Sequence, residues 1–161
     1  MASDGMPVVL FGKLPVVTTP MTEALKPEVD VIHLIESVTT ARSELPLILS
    51  SSSKPNKITP TSQTGSNTLR PDSEQRRPVA VIVGGGFTPE EFEELRGLEG
   101  GETVTWLRAD NSLVPESEWP PNPVYPGRAA GRVKEVLRRE GILGGERDEG
   151  EVKGKGGVFF Y

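Results

Sequence analysis

Residues 78–91 read PVAVIVGGGFTPEE, and this stretch combines a strand, a tight turn and the start of a helix. The apolar run 79–83 lies between a proline and three glycines, a pattern typical of a parallel strand buried on both faces. After the glycines, Thr88 has the position of an N-cap, Pro89 fits the first helical residue, and Glu91 completes a capping box. A buried strand that leads directly into a helix is the repeating unit of an α/β fold.

The same alternation continues on both sides of this stretch. Strands are predicted at residues 7–12, 29–35, 79–83 and 103–107, with a fifth at the terminal aromatic run 158–161. Helices are predicted at residues 20–25, 38–44, 89–98 and 127–140, the first capped by Thr19 and the second broken by Pro46. We therefore predict a small three-layer α/β sandwich, Rossmann-like or flavodoxin-like, with a four- to five-stranded, mostly parallel sheet.

The composition indicates a single α/β domain over residues 1–161 that contains two poorly packed segments. The chain holds 18 Gly and 15 Pro, about a fifth of its length, so much of it is loop. Residues 50–78 are rich in Ser, Thr, Pro, Asn and Gln, and we interpret them as a disordered or loosely attached insertion. Residues 144–157 are charged and glycine-rich, which predicts a mobile linker to a C-terminal edge strand. We expect that strand to dock on its own sheet, with docking on a second subunit as the alternative.

Charge and composition exclude several classes of function. The chain has no cysteine and a single histidine, His33, which excludes disulfides, thiolate metal sites and multi-histidine metal sites. A net charge of −5 and a pI near 5.0 argue against nucleic-acid binding, which needs a basic surface. Apolar runs stay far below the roughly 20 residues of a membrane span, and the N-terminus has no basic leader region. We expect a cytoplasmic protein with neither nucleic-acid nor membrane partners.

Ligands of parallel α/β sheets bind beyond the carboxyl ends of the strands. The candidate ligand-binding residues at those ends are Gly12, Lys13, Gly84, Gly85, Gly86, Thr88 and Arg108. The three glycines could cradle a small anionic ligand at a helix N-terminus, and Lys13 could hold its charge. Against an anion stand four glutamates, Glu90, Glu91, Glu93 and Glu94, and the G-x-G-x-x-G fingerprint is absent. A tight turn is therefore the favoured role of the glycines.

Two other features have both a structural and a functional interpretation. His33 lies inside a predicted strand with no supporting catalytic motif, so a structural role is favoured over that of a general base. Residues 119–123 read WPPNP, which suits either a stiff loop packed on the domain or a polyproline ligand for a protein partner. Neither feature assigns a catalytic residue.

The runs 7–12, 29–35 and 78–86 resemble the flavodoxin-like substrate domain of D-2-hydroxyacid dehydrogenases. Together with the terminal run 156–161, GGVFFY, they also resemble small uncharacterised fungal Rossmann-like proteins that end in a glycine pair and an aromatic tail. The catalytic arginine, acid and histidine of the dehydrogenases lie in or next to a separate cofactor domain that has no counterpart here. The resemblance therefore implies a fold and no activity.

These observations support three hypotheses about function. The first is a non-catalytic Rossmann-like domain that binds a small ligand or a protein partner and self-associates as a homodimer. The alternative is a small nucleotide-dependent, oxidoreductase-like enzyme that uses the crevice at the strand ends. A third is an interaction module that works through the proline-rich loop. The sequence assigns no cofactor to any of them.

Overall fold

The computed structural model describes residues 5–49, 57–143 and 154–161, and in these residues strands and helices alternate as predicted. The strands are β1 (Met6–Phe11), β2 (Val29–Ile35), β3 (Ala80–Val83), β4 (Thr105–Arg108) and β5 (Val158–Phe160). The helices are α1 (Pro15–Leu25), α2 (Val38–Leu49), α3 (Pro89–Arg96) and α4 (Tyr125–Arg139). The prediction of a small α/β sandwich is confirmed.

All neighbouring strands run parallel, in the order β2-β1-β3-β4-β5. The chain passes from β1 to β2 on one side and then crosses back over β1 to β3 on the other side. This reversal places a topological switch point between the carboxyl ends of β1 and β3. The loops that follow these two strands, at residues 12–14 and 84–88, consequently diverge to opposite faces and leave a crevice between them.

Each face of the sheet has its own apolar core. Helices α1 and α4 cover the face formed by residues such as Val8, Leu10 and Ile82. Helices α2 and α3 cover the opposite face, which includes Phe11 and Trp106. Because successive residues of a strand point to opposite faces and both faces are buried, the strands read as continuous apolar runs.

Two helices extend past prolines that the sequence pattern treats as boundaries. Helix α1 begins at Pro15 rather than Pro20, so Thr19 is not its N-cap and Pro20 lies inside the helix. Helix α2 continues through Pro46 to Leu49. An interior proline costs about 3 kcal/mol, whereas each large apolar side chain that becomes buried contributes about 1.5–3 kcal/mol. In both helices several buried apolar residues offset that cost: Met21 and Leu25 in α1, and Leu45, Ile48 and Leu49 in α2.

Residues 57–78 lie along the outer edge of β2. The main-chain N–H of Leu34 donates to the carbonyl of Thr64 at 3.0 Å, and the carbonyl of Leu34 accepts a hydrogen bond from the Ser62 hydroxyl at 2.7 Å. The chain therefore covers backbone groups that an edge strand would otherwise leave unpaired.

The same segment is anchored by a buried carboxylate at the start of β2. Asp30 accepts hydrogen bonds from Arg70 at 3.1 Å and from Arg76 at 2.9 Å. Residues 57–78 are thus attached, and the expectation of a loose insertion is wrong for them, because it counted apolar residues while polar contacts hold the segment. Residues 50–56, which belong to the same expectation, lie outside the described residues.

The terminal strand docks on the chain's own sheet, because β5 pairs in parallel with β4. Within the predicted linker, residues 144–153 lie outside the described residues. The N–H of Gly156 donates to the carbonyl of Val104 at 2.8 Å, so the turn before β5 is also tied to the domain. None of the helices in the described residues has the length and apolar character needed to cross a bilayer.

Candidate functional site

A pocket of about 320 Å³ opens at the switch point between β1 and β3. Its lining comes from the ends of both strands, from α1 and α4, from the proline-rich loop and from the chain end. The lining residues are Leu10, Phe11, Gly12, Lys13, Leu14, Val17, Thr18, Met21, Gly84, Gly85, Gly86, Asn111, Trp119, Pro120, Tyr125, Ala129 and Tyr161. Most of them are apolar or aromatic, which is the usual character of a small-molecule site.

The proline-rich loop forms part of the wall through Trp119 and Pro120. The Trp119 indole N–H donates to the carbonyl of Val114 at 3.1 Å, which holds the ring in place while almost half of the side chain stays exposed. The loop therefore packs on the domain beside the pocket entrance. This placement agrees with the structural interpretation of residues 119–123 and leaves their use by a protein partner a hypothesis.

Tyr161 lies at the pocket wall beside the sheet, where the docking of β5 places it. Its side chain is 2% exposed, and its hydroxyl donates to the carbonyl of Val83 at 2.9 Å. Burial strongly raises the pKa of this phenol, so the group is neutral and acts as a hydrogen-bond donor. The aromatic tail thus closes the pocket on the sheet side.

The glycine loop supplies backbone hydrogen-bond donors. Asn111 donates from its side-chain amide to the carbonyl of Gly85 at 3.1 Å, which fixes the loop. A Cβ on Gly85 would lie 2.2 Å from the Asn111 side-chain oxygen, so glycine permits this close approach. The N–H groups of Gly85 and Gly86 donate to no acceptor within the described residues. Both groups are therefore available to a ligand oxygen.

Lys13 does not supply a free positive charge. Its ammonium group lies 2.9 Å and 3.1 Å from the two carboxylate oxygens of Glu91, and 4.8 Å from the centre of the Phe87 ring. The pKa of Glu91 is lowered, first by the hydrogen bond from the backbone of Thr88 and then by Lys13. Since Glu91 is ionised and paired, this corner of the pocket is close to electrically neutral.

The pocket brings together five of the seven candidate residues, Gly12, Lys13, Gly84, Gly85 and Gly86. Thr88 is the N-cap of α3, where the predicted capping box with Glu91 is formed, and it does not line the pocket. Arg108 lies over the rings of Phe92 and Phe160, at 4.9 Å and 5.8 Å. It lines an adjoining polar crevice of about 380 Å³ instead, which shares Gly84, Gly85 and Asn111 with the pocket.

Sequence reasoning did not identify Thr18, Met21 or Asn111 as pocket residues. Thr18 was missed because the predicted helix begins at residue 20, although Pro15 also fits a first helical position. Met21 lies within the predicted helix, but no sequence pattern indicates that it lines a pocket. No sequence signal marks Asn111, which reaches the pocket only because the loop after β4 returns to the glycine turn.

His33 lies on the other face of the sheet and takes no part in the pocket. Its Nε2 is 2.7 Å from a carboxylate oxygen of Glu44, and both side chains are buried. Thr61 donates its hydroxyl to the second oxygen of Glu44 at 2.6 Å. Burial lowers the pKa of His33, and the hydrogen bond with Glu44 opposes that shift. His33, Glu44 and Thr61 thus link β2, α2 and residues 57–78, and this geometry supports a structural role for His33.

The chemical character of the pocket follows from its side chains. Among the described residues that line it there is no histidine, aspartate or glutamate, and its lysine is paired with Glu91. Nowhere in the described ranges do three metal-ligating side chains gather into a cluster. The apolar side chains can enclose a ring, and the free backbone N–H groups can donate hydrogen bonds to oxygen substituents on that ring.

Comparison with known proteins gives one informative match. The chain is 35% identical over 153 residues to a protein of Aspergillus oryzae named Kojic acid related protein 6, and the match covers 90% of this chain and 84% of that protein. No family model and no solved structure matches the chain. These comparisons do not connect the chain with D-2-hydroxyacid dehydrogenases, so that resemblance rests on the strand pattern alone.

Proposed function

The chain belongs to the family of the Aspergillus oryzae protein Kojic acid related protein 6, and we propose that it binds a small, uncharged ring compound in the pocket between β1 and β3. The observation that carries this proposal is the combination of apolar walls, free backbone N–H groups and a neutralised lysine in one pocket. Binding without chemical transformation is the proposed role.

The size and walls of the pocket favour a single ring or a pair of fused rings. Its volume of about 320 Å³ lies at the lower end of the range of roughly 300–1,000 Å³ for small-molecule sites. Trp119, Tyr125 and Tyr161 line it with aromatic side chains. Aromatic side chains contact flat rings favourably by stacked or edge-to-face packing.

The polar groups favour oxygen substituents on that ring. The N–H groups of Gly85 and Gly86 would donate to a carbonyl or hydroxyl oxygen of the ring. The name of the Aspergillus oryzae relative links that protein to kojic acid, which is a small hydroxylated pyranone. A hydroxylated oxygen heterocycle satisfies both requirements, so kojic acid is the first probe we would use.

Two earlier alternatives remain as outcomes of the test. A nucleotide or another anion would have to compete with Glu91 for Lys13 and approach the acidic first turn of α3. This makes the nucleotide-dependent, oxidoreductase-like hypothesis and the anionic ligand less favoured than a neutral ring. Phosphate, NADP and FMN therefore belong in the same titration series as kojic acid.

Self-association stays part of the proposal. Among the described residues no strand pairs with the outer edge of β5, and Phe160 on this strand is half exposed. An open, aromatic strand edge is suited to pairing with a second copy of the chain. Sedimentation of the wild type and of Phe160→Lys tests this: a dimer that the substitution dissociates supports it, and a monomeric wild type contradicts it.

The binding proposal is tested by calorimetric titration of the full chain with matched variants of α1. Val17 lines the pocket, whereas its neighbour Val16 is 55% exposed and does not. Val17→Phe fills the pocket and should abolish binding of kojic acid, while Val16→Phe adds the same side chain to the surface and should leave binding unchanged. Saturable binding of FMN or NADP, with none of kojic acid, would replace the proposal by the nucleotide alternative.

A further inference from the structure

We infer that Thr18 selects ligands that carry a hydroxyl or carbonyl group on the side of the ring that faces α1. This inference rests on the binding function proposed above. Thr18 lies in the second turn of α1, lines the pocket, and is only 2% exposed.

The hydroxyl of Thr18 has no protein partner among the described residues. The backbone of Thr18 is fully used, because its N–H donates to the carbonyl of Leu14 at 3.0 Å and its carbonyl accepts the Thr22 hydroxyl at 2.7 Å. Its side-chain oxygen makes no hydrogen bond to any residue in the described ranges. A helical threonine ordinarily satisfies this oxygen with a carbonyl of the preceding turn. The oxygen is not among the fully enclosed, unpaired side-chain atoms of the described residues, so it is accessible in the pocket that Thr18 lines and is open to a ligand.

Contact with Gly12 restricts the orientation of Thr18. A Cβ placed on Gly12 would lie 2.2 Å from the Thr18 methyl carbon Cγ2, so the methyl packs where a side chain at residue 12 would be. β-branched side chains have few χ1 rotamers in a helix, and this contact limits them further. The glycine after β1 thus has a role that the sequence alone does not indicate: it makes room for Thr18.

The energetic consequence is discrimination between ligands of similar shape. A ligand oxygen that bonds to the Thr18 hydroxyl supplies a partner that no described residue supplies. An analogue with a methyl group in that place leaves the hydroxyl buried and unsatisfied. A hydrogen bond of this neutral type changes the ratio of the two affinities by about tenfold.

The experiment compares phenol with toluene, which carries a methyl group in place of the hydroxyl. NMR titration measures the affinity of each compound for the wild type, Thr18→Val, Thr18→Ser and Thr22→Val. Thr18→Val, which keeps the shape and removes the hydroxyl, should shift the ratio of affinities by about tenfold toward toluene relative to the wild type. Thr18→Ser keeps a hydroxyl and should retain the wild-type ratio. Thr22→Val, on the same helix and outside the pocket, should also retain it.

The possible failures are distinguishable. If the wild type binds neither compound, the proposed pocket function fails together with this inference. If both compounds bind and Thr18→Val leaves their ratio unchanged, only the role of Thr18 is overturned. Thermal unfolding of the unliganded proteins supplies an independent check, because removal of an unpartnered hydroxyl should not lower the Tm. A clear decrease in the Tm of Thr18→Val would reveal a structural partner and contradict the inference.

Discussion

Replacement of Tyr161 tests whether the C-terminal aromatic tail is part of the domain core. The ring is buried against the sheet and the pocket, and the residue is joined to β4 on both sides: its N–H donates to the carbonyl of Arg108 at 3.0 Å, and its carbonyl accepts from the N–H of Asp110 at 2.6 Å. Tyr161→Ala removes the ring and leaves a cavity beside the pocket. We expect a loss of about 3–5 kcal/mol in the free energy of unfolding, as for other buried aromatic side chains.

Tyr161→Phe separates the contribution of the hydroxyl from that of the ring. The hydroxyl donates to the carbonyl of Val83, which also accepts the N–H of Ala109 at 3.1 Å. That carbonyl therefore keeps a partner when the hydroxyl is removed, and we expect a loss of only about 1 kcal/mol. For a chain of this size, about 1 kcal/mol corresponds to a decrease in Tm of about 2–4 °C.

The assay is urea-induced unfolding of the full chain, with Phe160→Ala as the matched control. Phe160 is the neighbouring aromatic residue, but it is half exposed, and its ring centre lies 5.8 Å from the Arg108 guanidinium carbon. At concentrations at which the protein is monomeric, its removal should cost no more than about 1 kcal/mol. If Tyr161→Ala were no more destabilising than Phe160→Ala, the C-terminal tail would not be part of the core. Tyr161 would then not form the wall of the pocket on the side of the sheet.

Three further predictions concern local interactions. Thr88→Ala removes the N-cap that accepts from the Glu91 backbone at 3.1 Å and should cost about 1 kcal/mol in urea unfolding; an unchanged midpoint would argue against the capping box. Gly131→Ala, in an exposed helical position with open space around the added methyl, should stabilise the protein by about 0.5–1 kcal/mol, and a decrease in Tm would contradict the course of α4. Because burial lowers the pKa of His33, the unfolded chain binds a proton more readily than the folded one, so stability should fall as the pH drops below about 6.5. Since His33 is the single histidine, its NMR titration checks this directly, and a pKa above 6.5 would contradict it.

The order of elements is predictable from the sequence, because strands that are buried on both faces are continuous apolar runs. β2 was predicted at its observed bounds, and the capping box at Thr88 placed the start of α3 correctly. The end of α1 at Leu25 and the start of α2 at Val38 agree with the sequence pattern, but the start of α1 and the end of α2 do not. The sequence shows the proline and its local cost, whereas the burial that offsets this cost depends on the packing of the helix in the fold. The attachment of residues 57–78 was missed for a related reason: its anchor, Asp30, lies far from Arg70 and Arg76 along the chain.

The candidate site was only partly predictable. General rules for parallel sheets indicate that the loops after β1 and β3 surround a ligand site, and Gly12 and Gly84 lie there. The strand order places the pocket between these two loops, and no pattern in the sequence fixes that order. The pairing of Lys13 with Glu91 likewise needs the fold, because it joins the loop after β1 to the first turn of α3. That pair disfavours the small anionic ligand that the sequence leaves as a possibility.

The most direct test of the central claim is an amide NMR titration of the full chain with kojic acid. We predict saturable changes in amide chemical shift at Gly12, Gly85 and Gly86 and at residues 17–21 of α1. We expect little change around His33 on the opposite face of the sheet. Chemical-shift changes confined to other parts of the domain would contradict the assignment of this pocket as the binding site. The absence of any change at kojic acid concentrations high enough to detect weak binding would contradict it as well.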